Sequence, residues 1–196
     1  MKNTILALLT SVTALGAAGA AHAADDYKPY IGVGAVAAEH RYNLSNDTST
    51  GDRKNTEWGG KIYGGVQINP NWAVEAGYTD FGKSDYGYTV GSATGRVESD
   101  AKSFYLAGKA SYPVNQQFSV FGKLGVAHNK NDVTGSGLAA GYNADSSRNS
   151  LYASVGAEYA FNEKVSATLE YEHYGKNDID LGRRKGAVTL GANYKF

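Results

Sequence analysis

Eight segments of this chain, each about ten residues long, alternate apolar and polar side chains, a period of two that only β-strands satisfy. The clearest is 188–196, where Val188, Leu190, Ala192, Tyr194 and Phe196 share one face, and Asn193 and Lys195 point to the other. A soluble sheet that ended on such a strand would expose an aggregation-prone edge, whereas a closed barrel pairs its last strand with its first. The other segments lie near 30–40, 58–68, 72–80, 102–112, 118–126, 151–161 and 165–171. Their apolar faces run Ile31, Val33, Ala35; Trp58, Ile62, Val66; Trp72, Val74, Ala76; Phe104, Leu106, Ala110; Phe118, Val120, Leu124; Leu151, Val155, Tyr159; and Val165, Leu169, Tyr171. The reading is an all-β, eight-stranded antiparallel up-and-down transmembrane β-barrel.

The connections support that reading. Asn69-Pro70-Asn71, 113–117 and Asn162-Glu163-Lys164 are compact, while 43–57, 81–101, 129–149 and 175–184 are long and rich in Asn, Asp, Ser, Gly and Thr. Short turns on one side and long polar loops on the other is the layout of an outer-membrane barrel, with an even strand number leaving both termini on the short-turn side. At the N-terminus, Met1-Lys2-Asn3 precedes an uncharged apolar stretch and Ala21-His22-Ala23. This is the pattern of a cleaved signal peptide over residues 1–23, with the barrel domain over 24–196. There is no Cys, so an exported chain of this kind is not a disulfide scaffold. The formal net charge of zero speaks against a nucleic-acid surface. Negative mean hydropathy is compatible with a membrane barrel, since half of each strand faces the lumen.

The polar face decides which side is inside. It carries Lys61, Glu75, Lys109, Lys123, Glu158, Glu170 and Glu172, several of them mid-strand. Aromatics on the apolar face gather at strand ends: Trp58, Trp72, Tyr112, Phe118, Tyr159, Phe161, Tyr194 and Phe196. Two such girdles mark the two membrane interfaces. Charges enclosed in a narrow lumen must pair, so Lys61, Lys109 and Lys123 are expected to face Glu75, Glu158 and Glu170 as a polar plug. A gated ion pathway through the same residues is the alternative.

The stretch Gly64-Gly65-Val66-Gln67-Ile68-Asn69-Pro70-Asn71-Trp72-Ala73-Val74-Glu75-Ala76-Gly77-Tyr78 resembles the second hairpin of the OmpA-like transmembrane domain family. Gly108-Lys109-Ala110-Ser111-Tyr112-Pro113-Val114 is similar to its fourth strand and turn, and Gly156-Ala157-Glu158-Tyr159-Ala160-Phe161 and Leu169-Glu170-Tyr171 to its sixth and seventh strands. The resemblance implies interior ion-pair positions for Glu75, Lys109, Glu158 and Glu170, and a basic lumen position for Lys123. One departure is Thr168, which stands where the family has an interior arginine, leaving Lys61 or Lys109 to take that cation's place. A second departure is that members of the family commonly continue into a peptidoglycan-binding domain while this sequence stops at Phe196, so the expectation is a stand-alone barrel, in size closer to OmpX-type and opacity-type surface proteins. Its terminal Phe196 would then be read by the barrel-assembly machinery.

Catalytic chemistry finds no footing. His173 superficially resembles the histidine of lipid-A deacylases, but the position where those carry serine is Gly175, and a base needs its nucleophile within reach. His40 and His128 have no such partner in sequence. Asp132, Asp145, Asp178 and Asp180 lack the spacing of a calcium loop. The sequon Asn46-Asp47-Thr48 carries no weight in a bacterial setting, and Gly32-Val33-Gly34 and Gly59-Gly60 lie within strands, so neither opens a phosphate-binding helix. The expectation is therefore a non-enzymatic protein of the Gram-negative cell outer membrane, without metal or cofactor and without nucleic-acid partners. Its partners would be membrane lipid and lipopolysaccharide, with host or surface ligands at the loops.

Overall fold

The eight alternating segments are all strands in the computed structural model, which describes residues 27–41, 54–90, 93–137, 143–175 and 183–196. They are β1 (Lys28–Arg41), β2 (Lys54–Asn69), β3 (Trp72–Val90), β4 (Ala93–Pro113), β5 (Phe118–Gly137), β6 (Asn143–Ala160), β7 (Val165–His173) and β8 (Arg183–Lys195). Each strand pairs antiparallel with the next, and β1 closes on β8 from Tyr30↔Lys195 through Val36↔Thr189. Closure leaves the sheet without a free edge, which a sheet surrounded by lipid requires. The proposed signal peptide, the sequon, Asp178 and Asp180 lie outside the described residues.

Three short turns share one device. Asn69 Oδ1 accepts hydrogen bonds from the backbone N–H of Asn71 and Trp72 at 2.9 Å each. Asn115 does the same for Gln117 and Phe118 at 2.9 and 2.7 Å, and Asn162 for Lys164 and Val165 at 2.9 and 2.8 Å. An asparagine side chain thereby stands in for a backbone acceptor and reverses the chain within four residues.

The side-chain distribution is inverted relative to a soluble domain. Leu124, Val155 and Leu190 are exposed by 63%, 63% and 62%, while their strand neighbours Lys123, Ser154 and Thr189 are buried. An unbroken apolar surface of this extent is stable only against another apolar phase. In β5 the outward residues run Phe118, Val120, Gly122, Leu124, Val126 and then His128. Ten residues at ~3.4 Å each, tilted by ~40°, span roughly 26 Å, the height of a bilayer's apolar band.

The long-hairpin end departs from the sequence expectation. Residues 81–101 and 129–149, expected to be mostly long polar loops, are largely strand: β3–β4 pairing continues to Val90↔Ala93 and β5–β6 pairing to Thr134↔Asn143. Apolar alternation stops where lipid stops, but the ladder continues in water because it satisfies backbone groups whatever the side chains are. Among the described residues, β2 pairs with β3 as far as Gly60↔Asp80, and β7 with β6 as far as Ala153↔His173. Beyond those points β3 to β6 rise as a four-stranded extension. Gly82 sits at the separation, within a register shift of β3. Its φ of 80° and a distance of 2.8 Å from a would-be Cβ to the Trp58 carbonyl oxygen exclude any other residue without strain.

Candidate functional site

The inward parity of every strand converges on one column of polar and aromatic side chains. Period two puts Lys61 and Tyr63 of β2 on the same face, as it does Tyr105, Ala107 and Lys109 of β4 and Glu170 and Glu172 of β7. All seven charges that the sequence places on the polar face lie buried in this column: Lys61, Glu75, Lys109, Lys123, Glu158, Glu170 and Glu172.

They form two clusters. In the deeper one, Lys123 Nζ donates to Glu75 at 2.6 Å and reaches the Glu170 carboxylate at 2.9 Å. Lys61 Nζ lies 3.3 Å from Glu170 and also bonds Glu172. Hydroxyl groups complete the coordination of the carboxylates. Tyr30 and Tyr105 donate to Glu75 at 2.7 and 2.5 Å, Ser154 donates to Glu170, and Tyr152, Tyr174 and Thr189 donate to Glu172. A carboxylate buried in low dielectric is tolerated when its lone pairs are filled in this way.

The second cluster lies toward the short turns. Glu158 accepts from Lys109 at 3.0 Å, from Lys195 at 2.9 Å and from Ser166 at 2.9 Å. Phe121 stands between the two clusters, its ring centroid 4.4 Å from Lys109 Nζ and 5.2 Å from Lys123 Nζ. Both contacts are of cation–π range. Thr168, in the position where the resemblance has arginine, sits 3.4 Å from the Tyr63 hydroxyl. The cations that reach Glu170 are Lys61 and Lys123. Lys109, the other proposed substitute, serves Glu158 instead.

Above the deeper cluster the lumen is filled by rings. Tyr105 and Tyr152 stack at 4.3 Å between centroids, Tyr174 packs on Tyr152 at 5.1 Å, and Phe81 meets Tyr174 edge-on at 5.2 Å. Thr79, Ser103 and Asn129 fill the polar gaps beside them; Thr79 bonds the Tyr174 hydroxyl and Ser103 bonds Asn129. Tyr105 lies so close to β3 that a Cβ on Gly77 would come within 2.5 Å of its ring. At the opposite end a cavity of about 180 Å³ enters among the short turns and reaches Lys109, Glu158 and Lys195.

Sequence reasoning left the inward aromatics and Glu172's partners unassigned. The signal was available: Tyr63, Tyr105 and Tyr152 each stand beside a lipid-facing residue, on the parity of the charges. Of the residues assigned to membrane interfaces, Trp58, Trp72, Tyr112, Phe118, Phe161, Tyr194 and Phe196 are all outward and exposed. Tyr159 pairs edge-on with Phe161, and Tyr194 with Phe196, each at 5.3 Å. His128 and His173 also face outward; His128 Nδ1 lies 2.7 Å from Asn149 Oδ1. Among the described residues no group of His, Cys, Asp and Glu is arranged to hold a metal ion.

Known proteins share this architecture. Ail, the attachment invasion locus protein of Yersinia pestis, solved in complex with the heparin analogue sucrose octasulfate, superposes with a TM-score of 0.56 at 18% identity, over 87% of this chain and 99% of that one. Neisserial surface protein A gives 0.55 at 17% identity, over 86% and 97%. In sequence, outer membrane protein P5 of Haemophilus influenzae is 35% identical over 100% of this chain and 61% of its own length. Outer membrane protein A of Escherichia coli O157:H7 is 26% identical over 100% of this chain and 55% of its own. The chain thus spans less than two thirds of these two relatives. The family described as outer membrane protein beta-barrel domain matches residues 7–196. With eight strands, an apolar exterior and a charged interior in place, the chain belongs to that family of Gram-negative outer-membrane barrels.

Proposed function

We propose that this protein is a non-enzymatic barrel whose lumen is a structural plug and whose work is done at the long-hairpin end, on the cell exterior. The observation that carries the reading is the filling of the lumen, from the ring stack of Tyr105, Tyr152 and Tyr174 down to the paired lysines and glutamates. An eight-stranded barrel has an interior that side chains can fill, and here each buried charge has a counter-charge. The β3–β6 extension would then present the recognition surface, held off the membrane by a rigid ladder. Lipid and lipopolysaccharide would contact the apolar band and its girdles, and the barrel-assembly machinery would read the terminal strand.

The test is planar-bilayer recording on the purified barrel. The plug reading expects no reproducible single-channel steps from the wild type. Steps that vanish on changing Glu75 or Lys109 would establish the narrow-pore reading instead. Residues 1–23 would act as a cleaved signal peptide, so the intact mass of protein taken from the outer membrane should correspond to a chain beginning at Ala24. A mass that retains Met1 would reject that assignment.

A further inference from the structure

The lumen is balanced in formal charge, but unevenly along its length. On the ring-stack side of Phe121, Lys61 and Lys123 face Glu75, Glu170 and Glu172, two cations against three anions. On the short-turn side, Lys109 and Lys195 share Glu158, two cations against one anion. The excess of positive charge therefore lies where a cavity opens among the short turns. The short-turn cavity of about 180 Å³ has these three as its charged lining residues, and Gln67, Gln117 and Asn193 stand on its walls.

We propose that this cavity binds one small oxyanion, a phosphate or a carboxylate group, between the ammonium groups of Lys109 and Lys195. Each ammonium carries three donors, and among the described residues each gives one to Glu158, at 3.0 and 2.9 Å. The ring of Phe121 attracts Lys109 through its face but does not neutralise it. Lys109 is buried, with its side chain 8% exposed, and shares its counter-charge Glu158 with Lys195, so an incoming anion offsets the net positive charge of the three groups. The amides of Gln67, Gln117 and Asn193 supply neutral donors for remaining oxygens. A cavity of about 180 Å³ has space for an oxyanion and part of its hydration. Beyond Phe121 the excess negative charge turns the anion back, so the site is a dead end. The assignment holds whichever compartment the short turns face.

The experiment titrates the full-length barrel, in phosphate-free maltoside micelles, with inorganic phosphate in one arm and acetate in the other. It reads backbone amide shifts around Lys109, Glu158, Asn193 and Lys195. The expected result is a saturable shift in at least one arm, and the stronger arm identifies phosphate-type or carboxylate-type chemistry. Lys195→Met should weaken binding by about tenfold or more, the loss of one charge-assisted bond. Glu158→Gln should tighten it, because a competing anion is removed while the lysines stay. Lys102→Met, at the other end, should change nothing. Shifts that never saturate in either arm would overturn the proposal, as would affinities indifferent to both cavity substitutions. Should Lys195→Met fail to fold, Glu158→Gln decides alone: unchanged or weaker binding overturns the site.

Discussion

Lys109 of β4 and Lys123 of β5 are direct cross-strand partners, both pointing inward, yet they belong to opposite halves of the lumen. Like charges so placed repel, and the barrel separates them by turning each toward a different carboxylate with Phe121 between. Lys123 is sealed. Its neighbours are Glu75 and Glu170, and tyrosine rings close the lumen beyond them. Lys109 stands at the floor of an open cavity and shares its glutamate with the partly exposed Lys195. The same ion-pair chemistry is therefore a sealed brace in one half and a wet, replaceable contact in the other. Desolvation, more than the identity of the pair, sets what each is worth.

The largest effect should come from the sealed side. Lys123→Met leaves Glu75, Glu170 and Glu172 with Lys61 as their remaining cation, an uncompensated buried charge. Breaking such a pair costs about 3–5 kcal/mol. Urea unfolding in lipid vesicles, followed by the gel-mobility difference between folded and unfolded barrel, measures it. A loss no larger than that of the open-side substitutions would remove the distinction between the halves.

How far this contrast was legible in the sequence differs by level. Period-two alternation located all eight strands and put Lys61, Glu75, Lys109, Lys123, Glu158 and Glu170 on inward parity. Alternation fixes a face but not a height, because height depends on the stagger of strands around the barrel. So the sequence could not say that Lys109 descends to Glu158 while Lys123 rises to Glu75, nor that Lys61 reaches across to Glu172. The inward tyrosines are less legible because an outward aromatic marks a membrane interface by its position alone, whereas Tyr63, Tyr105 and Tyr152, on the inward parity, gain their partners once the barrel closes. The β3–β6 extension was missed because its side chains do not alternate in polarity once the strands leave lipid.

The open side should respond less. Lys109→Met removes one charge-assisted bond but leaves Glu158 with Lys195 and Ser166, so a loss of about 1.5–3 kcal/mol is expected from the same unfolding measurement. Lys195→Met touches a side chain 30% exposed, and its effect should not exceed about 1 kcal/mol. The order Lys123, Lys109, Lys195 follows burial. If Lys195 proved the most costly of the three, burial would not be the governing variable.

The smallest expected quantity is the coupling between the halves, and it isolates the role of Phe121. Residues in contact through a shared network show coupling of about 0.5–3 kcal/mol, and independent ones less than about 0.5 kcal/mol. With the ring between them, Lys109→Met and Lys123→Met should combine additively within that lower limit, although their Cα atoms are direct partners. Phe121→Ala opens the space between the two ammonium groups and lets each reach the other's carboxylates. Repeating the cycle in that background should raise the coupling above about 1 kcal/mol, with Phe121→Leu, which keeps an apolar spacer, close to the wild-type value. Strong coupling already present in the wild-type background would mean that the lumen is one network, and that the division into a sealed brace and an open contact does not hold.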